Sequence, residues 1–565
     1  MIRSFCSTAL TAAVSFAVTM FLTFILSCPV HGQAGASLKG TVTLGESGQP
    51  IHNVLITILQ LKQTVGTDEQ GSYQFQNLPP GRYDVVAHLD RVPDIVRSIE
   101  IAAGQAATLN FRVELGGLKE EVTVTATGTE QAVSSSIQSV EVIGSIDLAK
   151  KSPVSLGESL DGELGVSKRS FGPGTARPVI RGFDGDRVLV LQDGNRIGGL
   201  GFESGDHAEP LNVLTVERIE IVKGPATLLY GSNAIGGVVN AVTGHDSAHK
   251  GINGYLTAVG STNGGQAATS AGIEYGTEKY LFWANGGGQR AGDYTTPLGR
   301  VRNSFSREAN IAAGLGYYPS RGFFSFNYNF DKRRYGIPFD AAQTAPEVVF
   351  LNPRRHGLEF RGGFKGSKSF LEAGTFSVQY NDYAHAEIDS VTKEVNTSFT
   401  NKTLIFQGVF DQKKQGKLSG RFGFWGSHRD FAASGDEALA PPTKHKALAI
   451  FGLETLDFER ASVQFGARLE NNRYQPTETA ARGVLPSRSF TGFSGALGLR
   501  VPTWTGGAFV ANYSHSYRAP SLEELYNNGP HRGNLAFEIG DPSLKRELGN
   551  GIDFGLRHSS NRIRF

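Results

Sequence analysis

The chain has 565 residues, and its 55 Lys and Arg against 53 Asp and Glu leave a net charge of +2, which points neither to nucleic acid nor to an acidic partner. Hydrophobic residues make up 39% and charged residues 19%, both low for an ordinary soluble enzyme, whereas 71 Gly and 36 Phe suit a β-barrel whose alternate residues face lipid. Both cysteines, Cys6 and Cys28, lie near the start, so the remainder excludes disulfides, thiolate metal ligands and thiol catalysis.

Segment 1–36 is basic at Arg3, apolar and uncharged from Ala9 to Leu26, and ends in the small-residue cluster Gly32-Gln33-Ala34-Gly35-Ala36. This is the layout of a secretory signal peptide. A membrane anchor is the alternative, because the apolar run approaches a spanning length, but no basic stop-transfer flank follows it.

In segment 38–115, β-prone runs at 40–44, 54–61, 72–75, 83–88 and 107–113 are separated by turn signals such as Asp68-Glu69-Gln70-Gly71 and Pro79-Pro80-Gly81. That spacing predicts a β-sandwich. Gly40-Thr41-Val42, Thr67-Asp68-Glu69-Gln70-Gly71-Ser72-Tyr73 and Leu78-Pro79-Pro80-Gly81-Arg82-Tyr83 resemble the carboxypeptidase regulatory-like domain, which implies a transthyretin-like sandwich. The linker 116–135 has the β-branched centre Glu121-Val122-Thr123-Val124-Thr125-Ala126. Such a stretch can be an extended linker or a strand donated to a partner sheet.

Segment 136–245 holds short strands at 178–183, 187–191 and 216–222, with helical turns at 146–151 and 156–164 and Ser152 or Ser155 as N-cap candidates. Its motifs are Arg181-Gly182-Phe183, then Glu217-Arg218-Ile219-Glu220 leading to Gly224-Pro225, then Tyr230-Gly231, and finally Gly236-Gly237-Val238-Val239-Asn240. In this order they resemble the plug domain of TonB-dependent outer-membrane receptors. The resemblance implies a small α/β plug inside a barrel. It also makes Glu121 to Ala126 the Ton box, the strand that pairs with TonB, and places Arg181, Glu217, Arg218 and Glu220 at the plug–barrel contact.

Over 250–565 the texture becomes long alternating strands. Phe324, Phe326, Tyr328 and Phe330 alternate with Ser325, Asn327 and Asn329; Phe376, Val378 and Tyr380 alternate with Ser377, Gln379 and Asn381. Runs of ten residues or more suit tilted membrane-crossing strands with one lipid face and one lumen face. About fourteen such strands are expected here. The resemblance implies twenty-two, so the barrel is expected to be incomplete at Phe565. The fold class is thus mainly β: a transmembrane antiparallel β-barrel with a plug, preceded by a sandwich, in the outer membrane of a Gram-negative bacterium, with sandwich and Ton box periplasmic.

No phosphate loop, G-x-S-x-G elbow or H-E-x-x-H motif occurs, and no enzyme activity or resident cofactor is expected. The candidate ligand set begins at Asp206-His207, an adjacent carboxylate and imidazole, both zinc ligand types. Tyr383, His385, Glu387 and Asp389 share the lumen phase of Ser377, Gln379 and Asn381, and His531 lies in a later loop on the same side. The set Asp206, His207, Glu387 and His531 is similar to the zinc-transporting branch of the receptors, as is Arg518-Ala519-Pro520-Ser521-Leu522-Glu523-Glu524-Leu525-Tyr526. His385 is a further candidate. That branch carries a histidine-rich loop after a Tyr-Gly-hydrophobic-Pro motif, whereas 339–349 after Tyr335-Gly336-Ile337-Pro338 has no His. Expected partners are therefore TonB, lipid and a small ligand, with zinc as cargo. A siderophore, haem or cobalamin chelate is the second reading, and a passive porin or adhesin is the reading from another class.

Overall fold

The computed structural model describes residues 36–45, 47–89, 92–113, 122–123, 131–224, 226–245, 248–339, 348–366, 370–436, 438–480, 482–531 and 536–558. The signal peptide up to residue 35, Glu121, Val124, Thr125, Ala126, Pro225 and most of 339–349 lie outside them.

The N-terminal unit is two sheets face to face. In one, Ala36–Leu44 pairs with Ser72–Leu78 and Gln49–Pro50 and runs parallel to Ala106–Thr108 and Phe111–Val113. The other has the order Gln63–Gly66, Leu55–Ile58, Gly81–Leu89, Val92–Ile101. Alternate residues of both sheets, including Leu38, Val42, Ile56, Ile58, Phe75, Val85 and Phe111, form its core. Two details differ from the pattern in the sequence. The run 54–61 is a strand only to Ile58, because Leu59–Leu61 turns as a 3-10 helix that Lys62 closes at φ 50°. Val92–Ile101 is an additional strand, and its Pro93 is tolerated because the strand lies at the sheet edge.

Past the linker, Val122–Thr123 pairs with Gln131–Ala132 in a two-residue ladder. The plug sheet then follows in the order Ser139–Gly144, Arg218–Lys223, Gly237–Val242, Val188–Gln192, Asn195–Arg196. Gly237–Val242 is buried along its whole length, as a central strand should be. The expected strand at 178–183 is Arg177–Ile180 and stops there, because Arg181 at φ 51° and Gly182 at φ 86° turn the chain. The second helix is also shorter than expected, Leu156–Leu160, ahead of Gly162 at φ 87°. Ser155 stands at its N-cap position without a side-chain bond, and Ser152 ends the helix Ser145–Lys151 rather than starting one.

The last sheet has fifteen strands, fourteen long ones and the three-residue Val349–Leu351. The long strands range from 11 residues (Gly251–Ser261) to 21 (Val395–Gln415). Outward residues form an apolar band: Phe324 is 66% exposed and Val378 46%. Inward residues such as Ser377, Gln379, Asn381, Arg468 and Glu470 are buried against the plug. No helix among the described residues is long and apolar enough to cross a membrane. The strand register defines two rims. Gly251 pairs with Gly276 at the rim where the chain leaves the plug, called lower here, and Glu387 pairs with Leu351 at the upper rim.

Plug and barrel meet through ions and amides: Arg181 with Asp553 at 2.6 Å, Arg187 with Glu547 at 2.8 Å, Asp186 with Arg518 at 2.9 Å and Asn195 with Glu359 at 2.7 Å. Arg218 bonds Glu217 and Glu220 within the plug, each at 2.9 Å. Gly231, at φ 98°, lets the plug backbone approach Glu470 of the wall; a Cβ there would lie 3.0 Å from its carboxylate. Gly224 lies against Arg181, Gly236 against Phe183, and the Asn240 side chain accepts from Gly194 N at 3.0 Å. The sandwich docks at the lower rim. Lys62 pairs with Asp411 of the barrel at 2.6 Å, and His88 faces Glu217 of the plug at 3.8 Å.

Candidate metal-binding site

Between the plug strands Asn195–Arg196 and Arg218–Lys223 the chain makes a tight turn at 204–207. His207 N donates to Ser204 O at 3.3 Å, and the Ser204 hydroxyl donates to Asp206 Oδ1. The turn needs Gly205, since a Cβ there would lie 2.3 Å from the Phe171 ring. Tyr335, buried on the barrel wall, clamps the turn from outside. Its hydroxyl accepts from Ala208 N and donates to Asp206 O, both at 3.0 Å. The backbone carrying Asp206 and His207 is therefore fixed by plug and barrel together.

The strand Leu371–Asp389 brings the next donors. Period-two alternation turns Ser377, Gln379, Asn381, Tyr383, His385 and Glu387 inward, and the last two reach the upper rim beside the turn. His207, His385 and Glu387 each present a ligand atom, and these three atoms lie within 4.8 Å of one another. His207 Nε2 stands 3.6 Å from Glu387 Oε1, and the two imidazole centroids are 4.5 Å apart. His385 is held by stacking on Phe399 at 4.4 Å. Both nitrogens of His207, both of His385 and Glu387 Oε1 are buried without a hydrogen-bond partner among the described residues. Leaving that many buried polar atoms unmatched costs on the order of 1–3 kcal/mol each. A bound cation would satisfy one nitrogen of each ring together with the carboxylate oxygen.

His531 closes the group. It sits on a hairpin pairing Asn528–His531 with Ala536–Ile539, and its Nε2 is 3.4 Å from Asp206 Oδ1. Its Nδ1 meets Glu538 Oε1 at 2.8 Å, while Asn527 donates to Glu538 Oε2 at 2.6 Å. A carboxylate on the far nitrogen is the usual support of a metal-ligating histidine. Burial works against charge on His531, but its bonds to Asp206 and Glu538 hold it up to about 11. Burial would raise the Asp206 carboxyl, yet His207 and His531 hold it well below the usual range. His207 is likewise raised: burial opposes its charge, and Asp206 and Glu387 outweigh burial.

All five candidates from the sequence, Asp206, His207, His385, Glu387 and His531, thus meet in one place, each at most 6% exposed. Ser204, Tyr335 and Glu538 were not anticipated. Tyr335 shares the inward phase of Arg333, but nothing in the local pattern marks Glu538, whose role depends on the hairpin register. The donor set is nitrogen and oxygen without sulfur, which suits zinc and other borderline ions. One layer further in, a cavity of about 110 Å³ is lined by Arg196, Glu209, Asn401, Trp425, Arg429 and Tyr474. Drug-sized ligands occupy pockets of roughly 300–1,000 Å³.

Residues 244–565 match the TonB dependent receptor-like, beta-barrel family, residues 132–238 the TonB-dependent Receptor Plug Domain, and residues 37–114 the Carboxypeptidase regulatory-like domain. The chain is 32% identical over 455 residues to the vitamin B12 transporter BtuB of Vibrio cholerae serotype O1, covering 78% of this chain and 69% of that one. It is 24% identical to the BtuB of Vibrio vulnificus, over 77% and 68%. Among solved structures, the copper transporter OprC superposes with a TM-score of 0.64 at 18% identity, covering 74% and 69%. The Serratia marcescens hemophore receptor HasR, in complex with HasA and heme, gives 0.60 at 15%, covering 75% and 70%. At these identities the structural likenesses speak for the fold alone.

Proposed function

The chain belongs to the TonB-dependent receptors, outer-membrane transporters rather than enzymes, and on that premise we propose that its cargo is a bare divalent metal ion of zinc's kind. The reading rests on one observation: the buried ring nitrogens of His207 and His385, which make no hydrogen bond among the described residues, converge with an oxygen of Glu387 that makes none either. Asp206 and His531 complete the shell, and both charge and ligand number favour a hard or borderline cation. Copper(I) is a poorer fit, because both methionines and both cysteines lie within the first 28 residues and leave no soft ligand at the site.

A chelate is the second reading, favoured by the relatives that carry vitamin B12. In the proposed cycle the ion enters from outside at the upper rim, and the lower rim and sandwich face the periplasm. TonB pairs with the strand around Val122 and Thr123 and pulls on the plug. A tightly held ion leaves slowly on its own, so outside work is what speeds its release.

Zinc content of purified full-length protein by ICP-MS tests the cargo: wild type should hold zinc that His207→Ala has lost. Equal zinc in both, or none in wild type, would defeat the metal reading. Tight binding of cyanocobalamin without zinc would favour the chelate. Deleting 120–127 should abolish uptake while zinc binding persists; unchanged uptake would refute energy coupling through that strand.

A further inference from the structure

The outer surface of the barrel carries a strongly charged patch that the ion site does not use. Tyr280–Ala291, Ser306–Tyr317, Gly322–Gly336 and Arg354–Lys365 are four neighbouring strands. Near the upper rim their outward faces hold Arg290, Arg307, Lys332, Arg334 and Arg354, all five exposed. Their inward neighbours fix the phase: Gln289 bonds Pro153 O of the plug at 2.7 Å, Glu308 pairs with Arg333 in the lumen, and Arg355 bonds Ile197 O of the plug at 3.0 Å.

The ladder register sets these cations side by side. Arg290 stands opposite Arg307, Arg307 opposite Arg334, and Lys332 opposite Arg354 a step lower. Like charges directly opposite each other repel. No Asp or Glu lies on the outward faces of these four strands, and none of the five cations is in an ion pair among the described residues. The first outward acid, Asp382 on the next strand, stands opposite Lys402. Arg334 lies with its guanidinium 4.0 Å from the centre of the Phe350 ring, which orders the group without spending its N–H donors.

Height on the barrel separates this patch from an ordinary solvated face. Tyr280 stands opposite Tyr317, and Tyr317 opposite Phe324, in a second row ten residues below the three arginines and on the same face. Ten residues of strand rise about 34 Å, and a tilt of roughly 40° turns that into about 26 Å of height, the size of the apolar band of a membrane barrel. Between the rows Phe282, Ile311 and Leu315 are exposed to lipid. The aromatic row thus marks one boundary of the band, and the arginine row lies in the headgroup layer of the other.

We propose that Arg290, Arg307 and Arg334, with Lys332 and Arg354 below them, bind the phosphorylated headgroup of an outer-leaflet glycolipid, whose acyl chains run down over Ile311. The planar fork of arginine takes two phosphate oxygens at once. Strands about 4.8 Å apart make the row about 10 Å wide, which suits a headgroup with more than one phosphate. The inference depends on the orientation proposed above, upper rim outward, and not on the identity of the cargo.

Native mass spectrometry of full-length protein, delipidated in a neutral detergent, tests it with lipid A as the probe. Wild type should hold bisphosphorylated lipid A, and the affinity should fall roughly 10–100-fold when Arg290→Gln, Arg307→Gln and Arg334→Gln are combined. Dephosphorylated lipid A should bind wild type as weakly as phosphorylated lipid A binds the variant. The variant should keep the zinc content of wild type, because none of the three arginines faces the lumen. Equal affinity of wild type for the two forms of lipid A, or phosphatidylglycerol bound as tightly as lipid A, overturns the proposal, and this comparison stands even if the variant fails to fold. Orientation has its own readout. Val391, 80% exposed in the turn at the upper rim, can be changed Val391→Cys and should react in intact cells with a maleimide polymer too large to cross the outer membrane. Reaction only after permeabilisation overturns both this proposal and the direction of the uptake cycle. Reaction in intact cells without lipid A binding overturns this proposal alone.

Discussion

At the residue scale, the upper site divides into groups that would touch an ion and groups that hold them. Glu538 belongs to the second kind: it bonds His531 Nδ1. Removing such a support typically costs 10–100-fold in metal affinity. Glu538→Gln should accordingly weaken zinc binding by about that factor in a competition titration against a chromophoric chelator, with stoichiometry unchanged. An unchanged affinity would mean that His531 does not ligate. The sequence made the candidate donors legible for two different reasons. Period-two alternation put His385 and Glu387 on the lumen face of one strand, a local property. The meeting of that strand with Asp206-His207 and His531 came from family resemblance, because contacts between segments so far apart in the chain leave no trace in local pattern.

At the element scale, the turn at 204–207 is the piece on which the site depends. Phe171 packs where a Cβ on residue 205 would stand. Gly205→Ala should destabilise the folded protein by about 1–3 kcal/mol, read as a lowered melting temperature, and should loosen zinc as Asp206 and His207 shift. A melting curve and zinc affinity equal to wild type would show that the turn yields at no cost. The sandwich and its docking strand offer a pH test. Burial works against charge on His88, but the carboxylates of Glu217 and Asp94 outweigh it, with Arg218 opposing, and hold the imidazole up to about 10. Because this lies above the ordinary value of 6.5, the stabilising contact is complete below pH 6.5 and fades as pH rises through 10. Spin labels on sandwich and plug should therefore report a narrow distance distribution at pH 6.5 that broadens toward pH 10, and His88→Gln should be broad at both. A distribution independent of pH and of His88 would refute the contact. Long strands were readable because fourteen of them repeat one alternation. The edge strand Val92–Ile101 and the end of the strand at Ile180 were not, because Pro93 and the left-handed Arg181 act through sheet position and backbone geometry rather than through hydrophobic pattern.

At the scale of the whole molecule, the plug has to be firmly held and yet removable. Its retaining contacts are polar, and one cluster of ion pairs among them gathers around Arg518. Arg518 of the barrel reaches Asp186 of the plug at 2.9 Å, Glu547 at 2.9 Å and Glu524 at 2.8 Å, and Glu547 in turn bonds Arg187 of the plug at 2.8 Å. The Arg518 side chain is only 3% exposed and Asp186 16%, so removing the cation takes this buried ion pair from Asp186, while Arg187 stays 3.6 Å from Glu524. Breaking a buried pair from one side costs roughly 3–5 kcal/mol. Apolar packing would resist sliding in every direction. Ion pairs in a wet lumen can instead exchange partners with water as the plug shifts, which is why a movable plug is better held by charge than by a continuous core. The plug's own sheet stays apolar inside, from Ile143 to Ala241, so it can move as a body. Arg518→Ala should then lower the melting temperature and let the plug shift without TonB. Cells carrying it should become sensitive to a hydrophilic antibiotic too large for ordinary pores, even when residues 120–127 are deleted. Deletion of 120–127 alone should leave them resistant. Resistance in the Arg518→Ala strain, with the protein present in the outer membrane at wild-type level, would show that the plug is retained by something other than this hub.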